Sequence, residues 1–284
     1  MNQESDRVLD QILDTLDTVT HTIYVKAQDA VAKATRETTA QRVVAEFGKQ
    51  FPDGRLLCFL DDVDHQPLKD RIGAANRGFC EPLSEPLYEN TLWFYYPDYL
   101  KARILVEESS SFLPVLAFDH VIYLHGSACS NEVGLAITFA HELQHFVQYT
   151  TARKLWAQNR LIPELPRHII ELQHLNWFDI PTEREARIVS VRIAKTLFGS
   201  EPVREFMNRR VAEAINVGEV ADSEFIRGLV GSVPGSYDLA GETEKIFGRL
   251  EPYKQEFANI LEEAKANPNF ADITVNTLFK SATT

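Results

Sequence analysis

Between Asn131 and Leu161 the chain reads NEVGLAITFAHELQHFVQYTTARKLWAQNRL, with no proline, and within it stands His141-Glu142-Leu143-Gln144-His145. Leu135, Ala136, Phe139, Ala140, Leu143, Phe146 and Val147 recur at spacings that predict one long helix with a broad apolar face, and Ser130 is placed to cap it. Thr138, His141, Glu142, His145, Gln148 and Tyr149 form a narrower polar stripe. Burying two imidazoles and a carboxylate costs desolvation that something must offset, and a metal ion does so. Residues four apart lie on one helix face, so both imidazoles can reach one zinc ion. Glu142, beside them, can accept a proton from a water activated there.

A zinc site that does chemistry needs a third protein ligand and an open fourth position. The continuation H-x-x-G-x-x-H of the metzincins fails, because Gln148 stands at the Gly position and Thr151 at the third His position. The candidates downstream are Glu164, His168, Glu171, His174, Asp179, Glu183 and Glu185. Thr182-x-x-Glu185 reads as a capping box at the start of TEREARIVSVRIAKTLFG, a helix ended by Gly199. That pattern occupies Glu185 and leaves Glu183 free, on a face with Ala186 and Ser190 whose small side chains admit a neighbouring helix. A solvent-exposed acid favoured by the helix N-terminus is the competing reading of Glu183. Glu164, between Pro163 and Pro166, is less well held.

Elsewhere, Val8, Leu9, Ile12, Leu13, Leu16, Val19 and Ile23 predict helix over about 5–50 together with the stretch Ala27 to Phe47. RLLCFLDDV, TLWFYY, ARILVEE and DHVIYLHG predict the strands of a small sheet, and residues 66–90, rich in Pro, Gly, Asn and Asp, read as a long loop. From Thr182 to about residue 266 the pattern is helical with breaks such as GSVPGS. The expected organisation is an N-terminal helical segment over 1–50, a catalytic-type domain over 51–215 and a C-terminal helical region over 216–284.

The composition, 44% hydrophobic and 25% charged over 284 residues, is that of a globular chain with a sizeable core. Lys+Arg 29 against Asp+Glu 41 leaves a formal charge of −12, so a nucleic-acid or anionic-membrane surface would have to be built against the mean field of the molecule. No apolar run reaches the length of a membrane span, and MNQESDRVLDQ lacks the basic and apolar regions of a secretory signal. A cytoplasmic protein is expected. Cys58, Cys80 and Cys129 form no C-x-x-C pair, so neither a disulfide framework nor a thiolate zinc site is expected, and free buried thiols are.

His141-Glu142-Leu143-Gln144-His145 followed by Glu183-Arg184-Glu185-Ala186 resembles the gluzincin-type metallopeptidases, in which a second helix gives a glutamate from an E-x-x-A motif. The second motif is similar to that of the soluble ImmA/IrrE-like peptidases and of the integral-membrane CAAX-processing and HtpX-type peptidases, and the lack of a spanning segment points to the soluble branch. The resemblance covers roughly residues 115–200. It implies zinc held by His141, His145 and Glu183, with Glu142 as general base. The fold it implies is α+β: a zincin-like metallopeptidase core with a small sheet and the H-E-x-x-H helix, embedded in a mainly α-helical chain. The function it implies is endopeptidase hydrolysis of a protein or peptide substrate.

In that plan DHVIYLHG would present a strand edge to an extended substrate. Tyr123, His125, Tyr149, His168 and His174 are all able to stabilise an oxyanion. Cys80 is able to cap the zinc as a thiolate, although a lone Cys is more often a small core residue. Two other classes of function fit the same residues: a regulatory partner-binding protein that cleaves one target, and a structural zinc protein without turnover. Glu142 favours catalysis over the latter, since a structural site has no use for it.

Overall fold

The computed structural model describes residues 21–27, 29–48, 56–61, 78–82, 120–128, 131–164, 179–216, 220–264, 270 and 273–279. Helices dominate these residues, beside one four-stranded sheet. The chain divides into two compact units, Met1–Leu143 and Gln144–Thr284. The division falls inside the H-E-x-x-H helix, whereas the sequence suggested boundaries near 50 and 215.

In the first unit, β1 (His21–Lys26), β2 (Leu56–Asp61), β3 (Gly78–Pro82) and β4 (His120–His125) form a sheet in the order β1-β2-β4-β3. The β1–β2 and β2–β4 pairs are parallel and β3 runs antiparallel to β4. Leu56, Cys58 and Leu60 of β2 stand in register with His120, Ile122 and Leu124 of β4, and all six are buried. Tyr123, on the opposite face of β4, is buried as well, so this strand is covered on both sides, as a central strand should be. Burial in this apolar layer pushes the Cys58 thiol far above its ordinary range.

Helix α1 (Ala30–Phe47) begins at Asp29, whose Oδ1 accepts from the Ala32 amide at 2.8 Å, and ends at Gly48, where φ is 47°. Its buried positions Thr39, Ala40, Val43 and Phe47 fall on one face.

Three expectations change here. Residues 21–26 are strand rather than helix: HTIYVK is rich in β-branched and aromatic side chains, and Ile23 fits a period of two as well as one of 3.6. Gly78–Pro82, expected within a loop, is held as β3 by its ladder with β4, which overrides weak local propensity, and Pro82 sits at the strand end. DHVIYLHG offers no edge, because β4 lies between β2 and β3. The expected helix before residue 21, the strands TLWFYY and ARILVEE, and Cys129 lie outside the described residues.

After β4, Gly126 takes φ 44° and a 3-10 turn (Gly126–Ala128) leads towards α2 (Glu132–Thr151). Asn131, not Ser130, caps α2: its Oδ1 accepts from the Gly134 amide at 3.1 Å. The predicted single helix is two. Ala152 leaves helical geometry at φ −136°, ψ 46°, and α3 (Arg153–Leu161) begins anew. Thr150 and Thr151 donate their hydroxyls to the carbonyls of Phe146 and Val147 in the last turn of α2, a local competition that ends a helix without proline.

The second unit continues with α4 (Pro181–Phe198), α5 (Ser200–Asn216), α6 (Val220–Gly231), α7 (Leu239–Leu250), α8 (Lys254–Ala264) and the single turn α9 (Val275–Leu278). Its core gathers Trp156, Leu161, Ile180, Ile246, Phe247, Leu250, Phe257, Ile260, Leu261, Phe270 and Leu278. Phe257 is fully buried between Phe247 and Phe279, at ring-centroid distances of 5.4 and 5.2 Å. No described helix is long and apolar enough to cross a membrane.

Candidate metal centre

The apolar face of α2 is buried as its spacing predicts: Leu135, Ala136, Phe139, Ala140, Leu143 and Phe146 are each at most 1% exposed. This anchors the polar stripe, leaving His141 and His145 half-buried and Glu142 7% exposed. The facing residue comes from the start of α4. Ile180 is the N-cap position and gives no side-chain cap, Pro181 fills the first helical position, and Glu183 lies in the first turn, where the helix dipole favours an acid.

His141, His145 and Glu183 come together, each offering one ligand atom, all within 4.8 Å of one another. His145 Nε2 stands 3.2 Å from Glu183 Oε1. Ligand atoms on a tetrahedral zinc, each about 2.0–2.1 Å from the ion, lie about 3.3–3.4 Å apart, so this pair is already at the spacing of one edge of such a polyhedron. Glu183 Oε2 faces the Arg187 guanidinium at 3.5 Å, which occupies one carboxylate oxygen and leaves the other towards His145. Two imidazoles and a carboxylate are a donor set suited to zinc and to other borderline divalent ions.

Behind His145, Gln148 is 1% exposed and fully engaged. Its Oε1 lies 2.8 Å from His145 Nδ1, and its Nε2 donates to the Thr182 carbonyl at 2.9 Å and to Glu185 Oε2 at 2.8 Å. Gln144 Nε2 donates to the same Glu185 oxygen at 3.1 Å. These bonds tie α2 to the first turn of α4.

The capping-box reading of Thr182 and Glu185 is therefore replaced. With Pro181 inside the helix, Thr182 is its second residue and cannot cap it, and Glu185 turns to the two glutamines. Glu183 reaches the histidines although the route that favoured it was wrong.

Among the other candidate ligands, Asp179 pairs with Arg184 at 2.8 Å. His168, Glu171, His174 and the side chains of Glu164 and His125 lie outside the described residues. Tyr123 is buried in the sheet, and Tyr149 packs edge-on against Trp156 at 5.0 Å with the Arg153 guanidinium 3.8 Å above its ring. Cys80 pairs in register with Ile122 in the sheet and is not part of the histidine–glutamate group. The role of Gln148 was missed, though its signal is simple: a side chain three residues beyond His145 on the same helical face. Compared with protein-family models and with curated proteins, the sequence matches none.

Proposed function

We propose that this chain is a zinc-dependent endopeptidase of gluzincin type, acting on a protein or peptide substrate in the cytoplasm. Its zincin-like α+β core, on this reading, is the mixed sheet followed by the H-E-x-x-H helix. The observation that carries the reading is the convergence of His141, His145 and Glu183 within 4.8 Å, the helix of the two histidines also placing Glu142 directly after the first of them.

His141, His145 and Glu183 would hold the ion. When bound, zinc supplies a Lewis acid for the scissile carbonyl and lowers the pKa of a water towards ~7. Glu142 is the group that takes the proton from the attacking water and hands it to the leaving amine, a task for which a carboxylate beside the ligands is suited and a structural site has no need. Arg187 lies 3.5 Å from the second oxygen of Glu183, and the first, beside His145, is the one that would hold the ion.

The test compares cells carrying wild type with cells carrying Glu142→Gln. Zinc content should be equal in the two purified proteins, and a cellular protein, or the chain itself, should be cleaved in wild type only. Equal zinc with indistinguishable proteomes under every stress tried would replace this reading with a structural metal site.

A further inference from the structure

The Gln148 amide can be oriented in only one way. Its nitrogen faces two acceptors, the Thr182 carbonyl and Glu185 Oε2, and the flipped amide would set oxygen against both. Its oxygen therefore faces His145 Nδ1, 2.8 Å away, and an oxygen can only accept there, so Nδ1 carries a hydrogen. The nitrogen left to ligate is Nε2, the atom that stands 3.2 Å from Glu183 Oε1.

We infer that Gln148 is a positioning residue for the metal ligand His145, and that it passes the carboxylate of Glu185 on to that imidazole through its side-chain amide. This rests on the metal reading above. Metal-bound histidines commonly donate their second N–H to a carboxylate, carbonyl or water, which fixes the ring and strengthens it as a ligand. Here the group at His145 Nδ1 is the Gln148 amide, with Glu185 accepting at its far end. Gln144 fixes that same carboxylate oxygen from the preceding turn of α2. The chain Gln144 to Glu185 to Gln148 to His145 thus runs back to the helix it starts from, with α4 as its middle link.

The experiment measures zinc affinity by chelator competition, the absorption spectrum of the cobalt-loaded protein, and thermal melting of the metal-free protein. It uses the full chain as wild type, Q148L, Q148E and the exchange Q148E/E185Q. Q148L keeps bulk but neither accepts nor donates, and should lose about 10–100-fold in zinc affinity with a changed cobalt spectrum, the range seen when such outer partners are removed. Q148E keeps an acceptor for Nδ1 but sets two carboxylates together, and should also bind weakly. In Q148E/E185Q the glutamine at 185 can again donate to the residue at 148, while the Thr182 carbonyl still lacks its donor, so affinity and the cobalt spectrum should recover part of the way from Q148E towards wild type.

Zinc affinity in Q148L equal to wild type overturns the inference. So does a cobalt spectrum unchanged in every variant while affinity falls only in step with the metal-free melting temperature. If wild type itself retains no zinc at His141, His145 and Glu183, the metal reading fails first and this inference with it, and wild type alone reveals that case.

Discussion

Glu183→Ala tests the metal centre most directly, because Glu183 is the member of the histidine–glutamate group that comes from α4. The variant removes one of three ligand atoms and the ion pair to Arg187, a contact of 3.5 Å at the limit of hydrogen bonding, with Arg187 still 20% exposed. The contact to His145 at 3.2 Å goes as well and the carboxylate is buried, so the metal-free protein should itself lose about 1–3 kcal/mol, which melting without zinc measures separately. The metal-loaded protein should change more. At a free zinc concentration of 100 times the wild-type Kd, binding adds about 2.7 kcal/mol to stability. Loss of a direct ligand should weaken binding by at least the ~100-fold at the upper end for an outer partner, which brings that concentration down to about Kd and leaves ~0.4 kcal/mol. The difference, about 2.3 kcal/mol, corresponds to about 4 °C in a chain of 284 residues. Melting curves with and without zinc measure it. Glu185→Ala supplies the comparison: it strips the acceptor from Gln144 and Gln148, so the metal-free melt should fall as well, by about 1–3 kcal/mol for two bonds to a half-buried carboxylate. Should zinc raise the melting temperature of Glu183→Ala as much as that of wild type, Glu183 is not a ligand.

Glu142→Gln should keep zinc binding and melting close to wild type while abolishing hydrolysis, read as loss of a cleaved cellular protein. Phe257→Ala empties the middle of an aromatic cluster and should cost about 3–5 kcal/mol, read by denaturant titration. Tyr237 is held up to about 12 by burial, then by the negative charges of Glu242, Glu185 and Asp238 against the opposing Arg184. The folded protein thus keeps its phenol proton after the unfolded chain has lost it, so stability should fall as pH rises from about 10 to about 12. Among the described residues its hydroxyl meets no hydrogen-bond partner, so Tyr237→Phe should melt no lower than wild type at neutral pH and lose that alkaline decline.

What the residues disclose without a structure depends on whether a signal is local. The burial of one face of α2 and the pairing of His141 with His145 on the other follow from a period of 3.6 alone, and both stand. Strand β3 does not follow from any such period. Gly78–Pro82 has a poor strand composition and is held by pairing with β4, some forty residues further on, which no reading of neighbours contains. The break at Ala152 falls between these cases. The two threonines that turn their hydroxyls onto the preceding carbonyls are visible in the sequence, but the same residues are tolerated in many helices, and that the helix begun anew carries Trp156 in the core of the second unit is a tertiary fact.

The start of α4 shows how a local rule can yield a sound ligand by an unsound path. Thr182-x-x-Glu185 satisfies the capping box by spacing, yet Pro181 outweighs it: proline costs nothing at the first helical position, where its missing N–H is not needed, and its fixed φ suits the helix. Starting the helix two residues earlier moves Thr182 from cap to second position, its backbone carbonyl becoming an acceptor for Gln148. Glu185 then lies one turn in, free of the helix end and within reach of the glutamines of α2. Glu183 faces His145, and the box that was to exclude Glu185 from the metal is replaced by a link that joins Glu185 to it through Gln148. The two acids, two residues apart on a helix, differ by about 200° in direction. One can serve the ion while the other serves the residue that orients its ligand, and Pro181 decides which is which by setting where the helix begins.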